Sequence, residues 1–183
     1  MTLGDWLTLR GDAKLSANKG GTKMKLLFAA AAALMLAAGA ARAADFVTIP
    51  LETTINAPAD AAWKKISGFC AIGGWFKTTC VITAGTDGQM GAVRRIADRI
   101  DELLVAKTAW SYSYSQPKSP IDYHGTVEIQ PVDKGHSKLL YTLVYDADAL
   151  PKHEPADKAA DKDRRAKQFT GLVATMKAAA EAK

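Results

Sequence analysis

The chain has 183 residues, with 24 lysines and arginines against 19 aspartates and glutamates, and a formal net charge of +5. Most of this excess precedes Ala44, because residues 44–183 carry 18 basic and 17 acidic side chains and are almost neutral. A nucleic-acid-binding domain needs a strong basic excess, so this balance excludes a nucleic-acid partner. Residues 44–183 have the usual size of one domain.

Residues 24–43 have the three parts of a secretory signal peptide. Lys25 provides a positive charge, residues 26–38 form an apolar stretch, and residues 41–43 (ARA) match a small-x-small cleavage pattern. We therefore expect cleavage after this pattern, export to the periplasm or the cell exterior, and no stable membrane insertion of the processed protein. An uncleaved membrane anchor is the alternative. We interpret residues 1–23 as upstream sequence outside the functional protein.

A strand and two short helices are predicted next. Residues 46–55 (FVTIPLETTI) alternate β-branched residues with others, which predicts a strand. Pro58 suits the start of a helix, and apolar residues follow at helical spacing as far as Phe69. Residues 71–76 (AIGGWF) contain too much glycine for a long helix and predict one short helical turn.

Six further strands and one long helix complete the predicted order. Turn sequences separate the strands, which span residues 79–84, 92–97, 100–106, 109–115, 123–130 and 138–146. The helix covers about residues 157–182 and has one apolar stripe. Strands in one block with helices at its ends indicate an α+β fold with an antiparallel sheet. A curved sheet covered by a single helix should leave a cavity between the two.

Five segments occur in an order that is typical of one superfamily. They are Thr54–Phe69 (TINAPADAAWKKISGF), Gly91–Leu104 (GAVRRIADRIDELL), Trp110–Ser115 (WSYSYS), Ser119–Pro131 (SPIDYHGTVEIQP) and Thr170–Leu172 (TGL). Together they resemble the SRPBCC superfamily, which includes START-like and polyketide cyclase/dehydrase-like proteins. The resemblance implies a helix-grip fold, in which a curved antiparallel sheet wraps around a long C-terminal helix and forms a pocket for small apolar molecules. It does not imply one reaction, because members include cyclases, dehydratases, lipid carriers and hormone receptors.

Period-two alternation selects the strand residues that face this pocket. The inward-facing aromatic residues are mostly tyrosines, which offer apolar rings for contact and hydroxyl groups for orientation. The alternative is that these tyrosines only fill the core. The predicted ligand-binding residues are Trp75, Tyr112, Tyr114, Tyr123, Tyr141, Tyr145, Phe169, Val173 and Met176.

Arg94 and Glu102 are the charged candidates for a catalytic role. A two-residue turn at positions 98–99 would place Arg95, rather than Arg94, opposite Glu102. Either arginine could hold Glu102 inside the cavity, where the carboxylate could act as a general base. The alternative is an ion pair at the protein surface.

The two cysteines, Cys70 and Cys80, allow two interpretations. In an oxidising compartment they could form a disulfide, provided that their Cα atoms lie within about 7 Å. Otherwise they are separate buried thiols.

The sequence favours an exported protein that binds a small hydrophobic molecule in a tyrosine-lined cavity. Three scattered histidines, without HxxxH or CxxC spacing, predict no metal site, and no pattern indicates a cofactor. One alternative function is a cyclase or dehydratase that uses Glu102 and the tyrosines as acid and base. Another is an envelope protein-interaction module whose cavity is packed shut.

Overall fold

The computed structural model describes residues 43–182 of the chain. The predicted leader, residues 1–23, and the predicted signal peptide up to residue 42 lie outside the described residues. The elements are β1 (Phe46–Ile55), α1 (Ala59–Ile66), α2 (Ile72–Trp75), β2 (Cys80–Ala84), β3 (Val93–Ile96), β4 (Ile100–Lys107), β5 (Ser111–Ser115), β6 (His124–Pro131), β7 (Ser137–Asp146) and α3 (Pro155–Glu181). This order confirms the predicted α+β fold.

The seven strands form one antiparallel sheet in the order β1-β7-β6-β5-β4-β3-β2. The first and last strands pair along their whole length, from Phe46 opposite Asp146 to Ile55 opposite Ser137. The long helix α3 packs against β1 and α1. The chain therefore has the predicted helix-grip architecture, with the sheet wrapped around its C-terminal helix. Among residues 43–182, no helix is long and apolar enough to cross a membrane.

The core lies between α3 and the inner face of the sheet. Strand β7 alternates buried and half-buried residues along its whole length, and its odd-numbered residues from Leu139 to Tyr145 are all buried. On α3, Val173, Met176 and Ala180 are buried. The inner face of β7 is therefore the one that period-two alternation predicts.

The hairpin between β3 and β4 has a three-residue turn at positions 97–99, whereas a two-residue turn was expected. Ala97 and Asp98 have positive φ angles of 50° and 59°. The Arg99 amide donates a hydrogen bond of 3.2 Å to the Ile96 carbonyl oxygen. Because two successive residues have positive φ, the turn begins at Ala97, one residue before the expected start at Asp98.

This longer turn changes the cross-strand partners in the hairpin. Arg94 lies opposite Glu102, and Arg95 lies opposite Asp101. The expectation that Arg95 lies opposite Glu102 is therefore wrong. Residues directly opposite each other point to the same face of the sheet, and a register shift of one residue exchanges the two faces. Arg94 therefore shares the buried face with Glu102, whereas the Arg95 side chain is 40% exposed.

A disulfide joins Cys70, just before α2, to Cys80, the first residue of β2, with a Cα–Cα distance of 5.5 Å. The short helix α2 has no buried residue of its own. Its Trp75 is half-buried and packs against the core. The disulfide restrains both ends of this segment against the sheet.

Reduction of the disulfide should lower the free energy of unfolding by about 2–3 kcal/mol, because the open loop gains conformational freedom in the unfolded chain. Urea unfolding with and without reductant measures this loss. A Cys70→Ser/Cys80→Ser double variant should have the same unfolding midpoint as the reduced protein, with or without reductant. Equal unfolding midpoints for the oxidised and reduced proteins would contradict a stabilising role.

Candidate functional site

A cavity of about 180 Å³ lies between the inner face of the sheet and α3. Its apolar lining residues are Ile72, Phe76, Ile96, Ile100, Phe169 and Leu172. Its polar lining residues are Arg94, Glu102, Tyr114, Gln116, Tyr123, Tyr141 and Gln168. Because an apolar cavity of about 150 Å³ accepts benzene, this volume suits one aromatic ring with a small substituent.

Three tyrosine hydroxyl groups meet in the cavity wall, and we call Tyr114, Tyr123 and Tyr141 the tyrosine trio. The Tyr141 hydroxyl is hydrogen-bonded to that of Tyr114 and lies 3.0 Å from that of Tyr123. The Tyr114 and Tyr123 hydroxyl oxygens are 3.4 Å apart. All three residues are at least 96% buried, since none is more than 4% exposed. Their hydroxyl groups therefore form hydrogen bonds with one another inside the core.

Burial raises the pKa of every phenol in the trio. The pKa of Tyr123 rises to about 12 because burial disfavours the charged phenolate. For the same reason, the pKa values of Tyr114 and Tyr141 lie well above the ordinary value of 10.0. All three phenols are therefore protonated at neutral pH, and they can donate or accept hydrogen bonds.

Gly125 on β6 provides the space that the Tyr114 ring occupies. The two residues are cross-strand partners, and a Cβ atom at position 125 would lie 2.4 Å from Tyr114 Cζ. Only glycine allows the ring to lie this close to the neighbouring backbone. Sequence reasoning missed this residue, although an isolated glycine within a predicted strand is a usable signal.

Arg94 and Glu102 form a buried ion pair in the wall of the same cavity. Their side chains are 3% and 5% exposed. Arg94 Nε donates a hydrogen bond of 2.7 Å to Glu102 Oε2, and Nη2 lies 2.5 Å from the same oxygen. Gln116 Nε2 donates a hydrogen bond of 2.9 Å to Glu102 Oε1. Both carboxylate oxygens therefore already accept hydrogen bonds.

The Arg94 guanidinium group makes two further kinds of contact. Its Nη1 donates to the Phe69 carbonyl oxygen, and its Cζ lies 4.2 Å from the Phe69 ring centroid and 5.1 Å from that of Tyr114. Burial acts to lower the pKa of Arg94, but the nearby Glu102 carboxylate helps to raise it above its ordinary value. Arg94 therefore stays charged, and Glu102 balances that charge.

The structure separates the predicted site residues into three groups. At the cavity it brings together Arg94, Glu102, Tyr114, Tyr123, Tyr141 and Phe169. A narrower space of about 10 Å³ is lined by other predicted residues, namely Trp75, Tyr112 and Met176. Tyr145 and Val173 are buried but line neither space.

Tyr145 lies away from the cavity because it is four residues beyond Tyr141 along β7. At that point the strand lies beneath another part of α3, and the Arg165 guanidinium covers the Tyr145 ring, 4.6 Å from its centroid. The alternation identifies the correct face of the strand. It contains no information on which residues of that face meet the cavity.

Several cavity residues have no signal in the sequence. Ile72 and Phe76 lie on or next to α2, within the loop that the disulfide closes. Gln116 follows the last residue of β5, where period-two alternation ends. Among residues 43–182, no group of three or more histidine, cysteine or acidic side chains is placed to hold a metal ion.

Comparison with known proteins identifies one family. The profile described as "Polyketide cyclase / dehydrase and lipid transport" matches residues 47–181. No curated protein sequence matches the chain.

Solved structures share the fold at low sequence identity. The ZhuI aromatase/cyclase from Streptomyces sp. R1128 is 19% identical, with a TM-score of 0.57 and coverage of 75% of this chain and 94% of that chain. A START superfamily protein from Mycobacterium smegmatis is 13% identical, with a TM-score of 0.57 and coverage of 71% and 94%. A norcoclaurine synthase point mutant from Thalictrum flavum is 14% identical, with a TM-score of 0.52 and coverage of 76% and 94%.

Gly125→Ala should destabilise the protein by about 1–3 kcal/mol, because the added methyl group forces the Tyr114 ring to move. Gly171→Ala is the matched control, since a Cβ atom there meets nothing within 4 Å. In the helix it should leave stability unchanged or raise it by up to about 1 kcal/mol. Urea unfolding compares the two variants, and a Gly125→Ala protein as stable as the parent would show that the ring has room.

Alkaline pH should destabilise the folded protein through Tyr123. In the unfolded chain this phenol has the ordinary pKa of 10.0, whereas in the folded protein its pKa is about 12. Stability from this group is therefore constant below about pH 10 and falls by about 3 kcal/mol as the pH rises through 12. Unfolding free energies measured over this range should fall less steeply for Tyr123→Phe. Parallel curves for the variant and the parent would contradict this.

Proposed function

The chain belongs to the polyketide cyclase/dehydrase and lipid transport family, within the SRPBCC superfamily, and from this we propose that it binds a small apolar or aromatic molecule. The binding site is the cavity between the sheet and α3. The observation that carries this proposal is the combination of apolar walls with a few convergent polar groups, which is typical of small-molecule sites.

The aromatic residues of the cavity support a planar ligand. The Phe169 ring stacks on that of Tyr141 with a centroid distance of 5.5 Å and an interplanar angle of 27°. The Tyr123 ring lies 6.1 Å from Phe169 at an angle of 30°. These nearly parallel rings are stiff and apolar, and the hydroxyl groups at their ends can orient a bound molecule.

A more open groove of about 420 Å³ supports access to the cavity. It shares Ile100, Gln116, Tyr123, Gln168 and Phe169 with the cavity and continues to Leu150 and Pro151. A ligand could therefore enter along α3, past Phe169, without separating the strands of the sheet.

Acid–base catalysis by Glu102 is the second candidate function. It is favoured because Glu102 lines the same cavity as the tyrosine trio. Both of its oxygens already accept hydrogen bonds from Arg94 and Gln116, so a substrate would have to compete with these two donors for the carboxylate. We therefore rank binding ahead of catalysis. The third function considered, a protein-interaction module with a closed cavity, lacks support from a structure in which a cavity is present.

We also propose that the protein is exported. The signal-peptide pattern before Ala44 supports this. The disulfide between Cys70 and Cys80 supports it independently, because such bonds persist in oxidising compartments.

Toluene is a suitable probe of the cavity, because it is apolar and has one ring. Leu172→Trp should weaken toluene binding at least about tenfold, because the larger side chain occupies the cavity that Leu172 lines. Leu140→Trp makes the same change on β7 at a half-buried position outside the cavity and should leave the affinity unchanged. Isothermal titration calorimetry measures both. Equal affinities for the two variants would show that toluene binds outside this cavity.

N-terminal sequencing of the protein from its own cells should begin at Ala44 or a close neighbour. Replacing Ala41 and Ala43 by leucine should block this processing, because the peptidase accepts only small residues at these positions. Recovery of the parent protein with an intact Met1 or Met24 in the membrane fraction would contradict export by cleavage.

A further inference from the structure

The charge in the cavity wall is already balanced. Among the described residues that line the cavity, Arg94 is the one cation and Glu102 the one anion, and the two are in direct contact. A carboxylate ligand would meet Arg94 only in competition with Glu102. An ammonium ligand would have to separate Glu102 from Arg94. Because an unpaired buried charge is strongly unfavourable, the cavity disfavours ligands of either sign.

The tyrosine trio has one more hydroxyl proton than it has close contacts. The Tyr141 hydroxyl is bonded to those of Tyr114 and Tyr123. The remaining Tyr114–Tyr123 separation of 3.4 Å exceeds the range of about 2.5–3.0 Å for hydrogen bonds between hydroxyl groups. Three donors and two close bonds leave one proton for an acceptor atom in the cavity. Burial raises the pKa of all three phenols, so this proton is present at neutral pH.

The cavity volume accommodates about one ring of the ligand. At about 180 Å³, it lies below the roughly 300–1,000 Å³ that is usual for sites of drug-sized ligands. The remainder of a larger molecule would extend into the adjoining groove.

We propose that the ligand is an uncharged molecule that places one ring in the cavity and presents a hydrogen-bond acceptor, a carbonyl or hydroxyl oxygen, to the tyrosine trio. This inference rests on the proposed binding function and specifies the chemistry of the ligand. The charge balance excludes ionised groups from the cavity, the free proton of the trio selects an acceptor, and the volume sets the size of the part that the cavity holds.

Five probes with the same ring test this selectivity: toluene, benzaldehyde, benzyl alcohol, benzoate and benzylamine. Isothermal titration calorimetry of the purified protein at neutral pH gives the five affinities. Benzaldehyde and benzyl alcohol should each bind about fivefold more tightly than toluene, the effect of one neutral hydrogen bond. Benzoate and benzylamine should bind at least about tenfold more weakly than benzaldehyde, since neither charge finds a free partner.

Two tyrosine variants locate the polar contact. The triple variant Tyr114→Phe/Tyr123→Phe/Tyr141→Phe removes all three hydroxyl groups and keeps the rings, so benzaldehyde should lose its advantage over toluene while toluene keeps its affinity. Tyr145→Phe removes a hydroxyl from the same strand outside the cavity and should preserve that advantage. An advantage of benzaldehyde that persists in the triple variant would overturn the assignment to the trio.

Glu102→Gln tests the charge balance, because it leaves Arg94 unneutralised at nearly the same shape. Benzoate should then gain at least about tenfold relative to benzaldehyde. If this variant does not fold, the probe series in the parent protein decides. Benzoate binding there as tightly as benzaldehyde would overturn the proposal, while toluene binding would uphold the proposed function. Binding of none of the five probes would count against both.

Discussion

The buried ion pair between Arg94 and Glu102 is the interaction on which the cavity wall depends. It joins β3 to β4, and its outer contacts extend to the Phe69 carbonyl group after α1 and to Gln116 after β5. Removing one partner of such a pair typically costs about 3–5 kcal/mol, because the other charge stays buried. The pair is therefore fixed in position, and the three-residue turn that sets its register is part of the site.

The tyrosine trio solves the same physical problem with neutral groups. A cavity that recognises a polar substituent needs polar atoms inside an apolar core, and each of these atoms must have a partner when no ligand is bound. The hydroxyl groups of the trio are partners for one another, as the carboxylate and guanidinium groups are. Gly125 makes this arrangement possible, because any side chain there would displace Tyr114. The stability of the core and the proposed binding thus depend on the same few contacts.

The sequence allows the prediction of the fold class, of almost every element and of the face that each strand turns inward. Alternation over β7 identifies Tyr141 and Tyr145 as inward residues, because burial on one face of a strand imposes a period of two. The register of the β3–β4 hairpin could not be predicted in this way, since Ala97 has a positive φ that its residue type does not favour. The position of a residue along the inner face depends on tertiary packing, and Tyr145 therefore lies outside the cavity.

A crystal structure of the protein soaked with benzaldehyde tests the central claim most directly, namely that the cavity between the sheet and α3 is a binding site. The account predicts the ring against Phe169 and the carbonyl oxygen about 3 Å from a hydroxyl oxygen of the tyrosine trio. Benzaldehyde bound only at the surface, with the cavity closed by the side chains of α3, would contradict it.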